Sequence, residues 1–416
     1  MQFGAIADDI TGGTDLASAI RQTGLTVLQT IGVPRALNHT ADVVIVSLKT
    51  RTAPVSEATE AASTAAAMLR AAGAAGLYFK YCSTFDSTDE GNIGPVIERL
   101  LDDLSAPFAM STPAYPELGR TVYLGHLFVG DRLLSESSMR NHPLTPMRDA
   151  NLVRVLGRQC RSPIGLVPFP AVEAGARGIR RACGALEASG HRIAIADAIS
   201  PTHLRRIAES CASFPLVSGA AGLGRSLAQR KAAGATSGPP KEVDADARLP
   251  AAVLSGSCSS ATQAQVQRLA AVLPSRAVDP LKLAADEREL TNLIDWACDR
   301  AGKDSLLVYS TANPGSVREV QRELGRIEAA AIVESTFRAL ASALAQCGVR
   351  TFIVAGGETS GAVLEALDIR ALTFGSEIEP GVPWTFTVDP PGFRLALKSG
   401  NFGSTDFFSK AIGRAG

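Results

Sequence analysis

The sequence predicts an α/β protein of two domains. Each is expected to rest on a mainly parallel or mixed sheet with flanking helices, with a cleft between the two. Three observations carry that prediction. Short apolar runs alternate with alanine-rich helical stretches from the first residues onward, the rhythm of parallel strands covered on both faces. A stretch rich in Gly, Ser, Pro and charge, KAAGATSGPPKEVDADARLP, interrupts it at residues 231–250; without an apolar period, that composition marks a linker. A second series of apolar runs begins at Ala251. The expected boundaries are 1–232 for a substrate-binding domain, 233–250 for the linker and 251–416 for a nucleotide-binding domain.

Taken in order, residues 4–7 read as a strand and 14–22 as a helix. The continuous apolar run at 43–48 is a buried strand, and 54–72 a helix with its proline near the start, where a missing N–H costs least. Residues 77–81 and 95–104 repeat the pair. Between 107 and 146 the rhythm breaks into a Pro-, Gly- and Ser-rich excursion, where runs at 120–124 and 126–129 flank Gly125 as a strand pair. Alternation returns with strands at 165–167, 192–196 and 215–217. Past the linker, strands are expected at 251–254, 306–309 and 351–355, with a β-rich segment at 383–397.

Composition narrows the function. The chain has 416 residues, 46% hydrophobic and 20% charged, which is globular rather than disordered. Lys+Arg equals Asp+Glu at 41 each, so nothing suggests the basic excess of a nucleic-acid binder. The seven cysteines are dispersed, with no C-x-x-C pair, against a disulfide framework or a cysteine-rich zinc site. No metal-ligating cluster is evident. The start, MQFGAIADDITGG, has no basic region, so no signal peptide is expected. No apolar run approaches the ~20 residues that cross a bilayer. A cytoplasmic protein with no membrane partner is the expectation; assembly into a homo-oligomer is left open.

The chemistry-bearing residues gather at strand ends. The first strand runs into Ala7-Asp8-Asp9-Ile10-Thr11-Gly12-Gly13, and open α/β sheets bind ligands at the carboxyl ends of their strands. Asp8 or Asp9 could accept a proton from a hydroxyl, and Thr11 and Gly12 could meet the ligand. An Asp N-cap followed by a turn is the plainer reading. A second loop, KYCSTFDSTDEGNIG, holds Lys80, Ser83, Asp86 and Ser87; a lysine with hydroxyls before a helix start suits a carboxylate or phosphate, or is an ordinary capped loop. In SESSMRNHP, Arg140 could pair two-pronged with a carboxylate beside His142, or both could make structural loop bonds. In the second domain Ser255 and Ser257 follow the first strand, Gly356, Gly357, Glu358 and Thr359 make a glycine turn into a helix, and Gly400 lies in LKSGNFG, where Lys398 is available for a polyphosphate. Small residues and main-chain N–H groups at helix starts form anion sites, and three such loops together favour a nucleotide. Glu358 would repel a phosphate and fits better as a helix-start acid or a water-mediated Mg²⁺ contact.

Together, IADDITGGTD, GGETSGAVLEAL and LALKSGNFG resemble the four-carbon acid sugar kinases, in the same order and over essentially the whole chain. KYCSTFDSTDEGNIGPV and GHLFVGDRLLSESSMRNHPLTPMRDANLVRVL look like the 3-oxo-tetronate kinases within that family. Glu90 stands where many threonate and erythronate kinases carry arginine, which removes a cation from the acid pocket. The resemblance implies a sugar acid on the first domain, ATP with Mg²⁺ on the second, and phosphorylation of the acid's 4-hydroxyl. Asp8 or Asp9 would be the base, and Arg140 or Lys80 the carboxylate clamp. A threonate or erythronate 4-kinase is the nearest alternative. An NAD-dependent oxidoreductase is disfavoured by the lack of a G-x-G-x-x-G turn with its acid partner, and a non-catalytic sugar-acid sensor by the nucleotide-type loops.

Overall fold

The computed structural model describes residues 1–37, 41–142, 144–232 and 250–413. They belong to two compact units, Met1–Pro240 and Lys241–Gly416. The linker expected at 233–250 lies outside the described residues, Pro250 apart.

The N-terminal unit contains β1 (Phe3–Ala7), β2 (Val27–Ile31), β3 (Val43–Ser47), β4 (Leu77–Lys80), β5 (Ala109–Thr112), β6 (Arg120–Tyr123), β7 (His126–Val129), β8 (Arg132–Leu133), β9 (Ile164–Val167), β10 (Ile193–Ala196) and β11 (Leu216–Gly219). Its helices are α1 (Ile10–Arg21), α2 (Val55–Ala71), α3 (Ile93–Asp103), α4 (Leu152–Gln159), α5 (Phe169–Glu173), α6 (Gly175–Ala188), α7 (Pro201–Ser210) and α8 (Ala221–Ala232). The strand order β2-β3-β1-β4-β11-β5-β10-β9 is parallel throughout. Every residue of β1 and β3 is buried, which is why both read as unbroken apolar runs. The excursion is a separate antiparallel sheet, β6-β7-β8. Its first turn is held by the buried Asp197, whose carboxylate accepts the N–H groups of Leu124 and Gly125 at 2.8 and 2.9 Å.

The C-terminal unit contains β12 (Ala251–Ser255), β13 (Ser275–Ala277), β14 (Leu306–Tyr309), β15 (Thr351–Ala355), β16 (Ala371–Glu379), β17 (Val382–Thr387) and β18 (Arg394–Lys398). Helices α9 (Ser260–Ala270), α10 (Pro280–Ala285), α11 (Arg288–Cys298), α12 (Pro314–Leu324), α13 (Arg326–Gln346), α14 (Gly357–Ala366) and α15 (Phe407–Ala411) accompany them. The order is β13-β14-β12-β15-β18-β17-β16, parallel from β13 to β18, with β17 antiparallel to both neighbours. Val253, Leu307, Ile353 and Ala396 of four strands pack with Val266 and Leu269 of α9 and with Phe407 and Phe408 of α15.

Two features depart from expectation. Helix α1 starts at Ile10 rather than residue 14, because Asp9 caps it by accepting the Gly12 N–H; Gly12 and Gly13 therefore lie inside the helix. The β-rich end is longer than expected, with β16 preceding β17 and β18. In each sheet the strand order reverses around one strand: β1 lies between β3 and β4, and β12 between β14 and β15. Such reversals open a crevice at the carboxyl ends of the strands.

Candidate active site

In the N-terminal unit the register aligns Ala7 with Ser47 and with Lys80. The residues that follow β1, β3 and β4 therefore leave the sheet at one edge. Asp8 and Asp9 follow β1. From the turn after β3 comes Arg51, whose Nε and Nη2 donate to the two Asp8 carboxylate oxygens at 2.9 Å each. The same Nη2 donates to Asp9 Oδ1 at 2.5 Å, and Nη1 lies 3.7 Å from Asp86 Oδ2. Asn92, at the entrance to α3, fixes that turn: its Nδ2 donates to the Thr50 carbonyl at 2.6 Å and the Ala53 carbonyl at 2.8 Å.

Asp9 is further held by the Thr11 hydroxyl at 2.7 Å and the Gly12 N–H at 3.0 Å. Burial pushes its carboxyl up, but Arg51, Lys80, Thr11 and Gly12 outweigh it and hold the group below the usual carboxylate range. For Asp8, burial prevails over Arg51 and the carboxyl is raised. The Arg51 guanidinium, between the two carboxylates, stays charged. Burial raises the Cys82 thiol to about 11, which leaves it protonated and unsuited to nucleophilic work.

Lys80 ends β4 with its residue only 3% exposed. A methyl group on Gly12 would lie 2.6 Å from Lys80 Nζ and 2.1 Å from Asp9 Oδ1, so glycine is needed for the ammonium and carboxylate to approach this backbone. Among the described residues no hydrogen bond or ion pair takes the Lys80 ammonium. A nearly buried cation beside two carboxylates that are already engaged is a ready partner for an incoming anion.

The other expected residues are placed as follows. Asp86 accepts from the Thr84 hydroxyl at 2.6 Å and faces Arg51. Ser83 lies in the same loop, half-buried. The Ser87 hydroxyl accepts from Gln159 Nε2 of α4 at 2.8 Å, which ties it to the fold. Arg140 is exposed and reaches the Ser135 carbonyl at 3.3 Å. The His142 ring accepts from the Thr145 N–H at 3.1 Å. No contact given by the structure brings Arg140 or His142 to Asp8, Asp9 or Lys80 among the described residues. The two-pronged arginine at this edge is Arg51, which the sequence reading missed. Its signal was its place directly after an unbroken apolar strand, in Leu48-Lys49-Thr50-Arg51.

In the C-terminal unit Ser255 is level with Tyr309 and Ala355, and Ala355 with Lys398. Four loops thus emerge together. Ser255 Oγ and Thr311 Oγ1 lie 2.8 Å apart. A methyl group on Gly256 would meet Thr359 Oγ1 at 2.0 Å, one on Gly356 the Ser257 nitrogen at 3.1 Å, and one on Gly400 Ser257 Oγ at 2.5 Å. The loops are in van der Waals contact and admit no side chain there. Gly356 has φ +116°, a conformation that favours glycine. Gly357 opens α14, and Glu358 in its first turn is exposed. Helices α9 and α12 also begin at this edge, capped by Ser259 and Asn313. Three helix N-termini and a cluster of small hydroxyls make a polyanion site built mainly from backbone.

Lys398 corrects the reading of it as a free cation for a polyphosphate. It is fully buried, and its Nζ is directed to Thr262 Oγ1 and to carbonyl oxygens of its own loop.

Comparison with known proteins matches residues 3–227 to a sugar-binding N-terminal domain and residues 252–408 to a nucleotide-binding C-terminal domain. The chain is 48% identical to a 3-oxo-tetronate kinase of Burkholderia multivorans, over 99% of this chain and 96% of that one. The chain belongs to the four-carbon acid sugar kinase family. Within it, a 3-oxo-tetronate kinase of Haemophilus influenzae is 43% identical over 99% of each chain. Of solved structures, Haemophilus influenzae protein HI1011 matches at 42% identity and TM-score 0.77, over 99% of each chain. A Salmonella typhimurium protein matches at 40% identity and TM-score 0.84, over 98% of each. These matches agree with the α/β architecture described above.

Proposed function

We propose that this chain is an ATP-dependent kinase that phosphorylates the 4-hydroxyl of 3-oxo-tetronate, giving 3-oxo-tetronate 4-phosphate. The observation that carries the reading is the kinship with 3-oxo-tetronate kinases across both units. Each unit also offers a strand-edge site of the required chemistry. A D-threonate or D-erythronate 4-kinase is the neighbouring reading.

The acid's carboxylate would pair with the Lys80 ammonium, which is poised for an anion. Asp9, ionised at neutral pH and more exposed than Asp8, would accept the hydrogen of the 4-hydroxyl and aim its lone pair. Asp8 would hold Arg51, and Arg51 would hold Asp9 in place. Phosphoryl transfer passes through a loose transition state, so orientation matters more than a strong base, and a carboxylate of depressed pKa is adequate if its proton arrives late. In the C-terminal unit, Ser255, Ser257, Gly356, Gly357, Thr359 and Gly400 would surround the triphosphate. Mg²⁺ would neutralise charge on the phosphate oxygens. The donor set fits such an ion: among the described residues no cluster of three His, Cys, Asp or Glu exists to cage it, and Mg²⁺ prefers phosphate and water, with Glu358 exposed for a water-mediated contact. The domain boundaries 1–232 and 251–416 belong to the same proposal. So does a cytoplasmic setting, which the free cysteines support; no helix among the described residues could cross a membrane.

The test is ADP release with 3-oxo-tetronate, D-threonate and D-erythronate side by side, with the phosphate position read by phosphorus NMR. Turnover confined to threonate or erythronate, or phosphate on any oxygen but that of C4, refutes the reading.

A further inference from the structure

We propose that Lys398 is a positioning residue of the nucleotide site: its buried ammonium gathers the carbonyls of the 399–402 turn and thereby aims the turn's N–H groups at phosphate. The inference rests on the reading that this strand edge takes ATP.

Lys398 Nζ lies 3.1 Å from the Ser399 carbonyl oxygen, 3.1 Å from that of Gly400 and 3.2 Å from that of Phe402. Its fourth neighbour is Thr262 Oγ1 at 2.9 Å. Helix α9 draws the same turn in the same direction. Thr262 Oγ1 and Ser259 Oγ donate to the Gly400 carbonyl at 2.8 and 2.5 Å, and Gln265 Nε2 donates to the carbonyls of Phe402, Gly403 and Ser404 at 3.1, 3.0 and 2.9 Å.

The C=O and N–H of one trans peptide unit point in opposite directions. Carbonyls of 399, 400 and 402 turned to Lys398 therefore direct the N–H groups of Gly400, Asn401 and Gly403 away from it. Successive N–H groups on one side of a turn make an anion-binding concavity. The turn adjoins the Ser257 loop, since a methyl group on Gly400 would lie 2.5 Å from Ser257 Oγ. Were the carbonyls free to rotate outward, the same turn would present oxygens to phosphate and repel it. An ammonium is costly to bury, and an apolar side chain of equal length would fill the space. What the charge supplies is the orientation of the carbonyls.

The experiment uses the full chain with Lys398→Met, Thr262→Val and Thr262→Ser, titrated calorimetrically with ADP and with adenosine. Lys398→Met should weaken ADP by about tenfold or more while leaving adenosine unchanged, because only phosphate reads the turn. Thr262→Val should weaken ADP by a few-fold, and Thr262→Ser, which keeps the hydroxyl, should restore it. ADP binding by Lys398→Met at wild-type strength, or equal losses for ADP and adenosine, overturns the inference. Should Lys398→Met lose its cooperative melt, the Thr262 pair decides: Thr262→Val with wild-type ADP affinity overturns it. Wild-type protein that binds no ADP overturns the nucleotide reading itself, and this inference with it.

Discussion

Arg51→Met removes the guanidinium that Asp8 and Asp9 share. It deletes three charge-assisted hydrogen bonds, at 2.9, 2.9 and 2.5 Å, and leaves two buried carboxylates together. Breaking a buried pair by deleting one partner costs ~3–5 kcal/mol. Arg51 is 21% and Asp9 17% exposed at the side chain, so water screens part of the loss and ~3 kcal/mol is expected at neutral pH. The assay is urea unfolding followed by far-UV circular dichroism. Tryptophan emission serves as an internal reference, because Trp296 and Trp384 both lie in the C-terminal unit. The sign with pH is part of the prediction. In the wild type, Asp9 is depressed, so its contribution is present above its unfolded pKa and fades as pH falls through the lower folded value. Asp8 is raised, so it acts oppositely, and the two partly cancel. In the variant both carboxyls lose their cation and rise, so the deficit should shrink as acid protonates them. A loss under ~1 kcal/mol at neutral pH, or a deficit unchanged by acid, refutes the reasoning.

Asp9→Asn should lower kcat by ~10²–10⁴ while ADP affinity stays within about twofold; full turnover in both this variant and Asp8→Asn, each folded normally, removes the base assignment. Gly356→Ala places a methyl group 3.1 Å from the Ser257 nitrogen at φ +116°, a strain of ~1–3 kcal/mol, and should raise KM for ATP more than KM for the acid; an unchanged ATP KM would contradict the loop contact. Lys398 gives a pH signature: burial lowers its ammonium to about 7, with Glu379 opposing. Glu379 is itself paired with Lys410, and α9 faces Lys398 with the neutral Thr262. From about pH 7 to the unfolded value the unfolded chain binds the extra proton, so stability should rise with pH in the wild type relative to Lys398→Met. Over the same range KM for ATP should increase, because a neutral amine has fewer N–H groups for its four oxygens; a flat KM profile would refute this.

Strand ends were legible because parallel strands announce themselves as continuous apolar runs, and the residue after each run must leave the sheet at its carboxyl edge. That placed Asp8, Asp9, Lys80, Ser255 and Gly356 before any coordinates. Partnerships across the sheet were not legible. Arg51 stands 42 residues beyond Asp9 in sequence, and only the register between β1 and β3 brings them together. The exposed run holding Arg140 looked as cationic as the turn holding Arg51, and nothing in one sequence ranks them. Lys398 was misjudged for a related reason. A lysine beside glycines reads as a phosphate ligand until burial shows its ammonium spent on carbonyl oxygens. Gly12 was taken for a turn, because an N-capped helix opening with Thr-Gly-Gly runs against helix propensity; the approach of Lys80 and Asp9 overrides it.

The strand order carries a consequence for biosynthesis. β11 is the last strand of its unit along the chain, yet it sits inside the sheet between β4, which bears Lys80, and β5. A nascent polypeptide that has not yet emerged past Gly219 has two interior strands with no neighbour to pair with. The lysine's own scaffold is thus finished late, and open edges invite association between unfinished chains. Until that final insertion, the ribosome-bound intermediate should depend on chaperone cover, and truncations that stop short of Leu216 should accumulate as insoluble material.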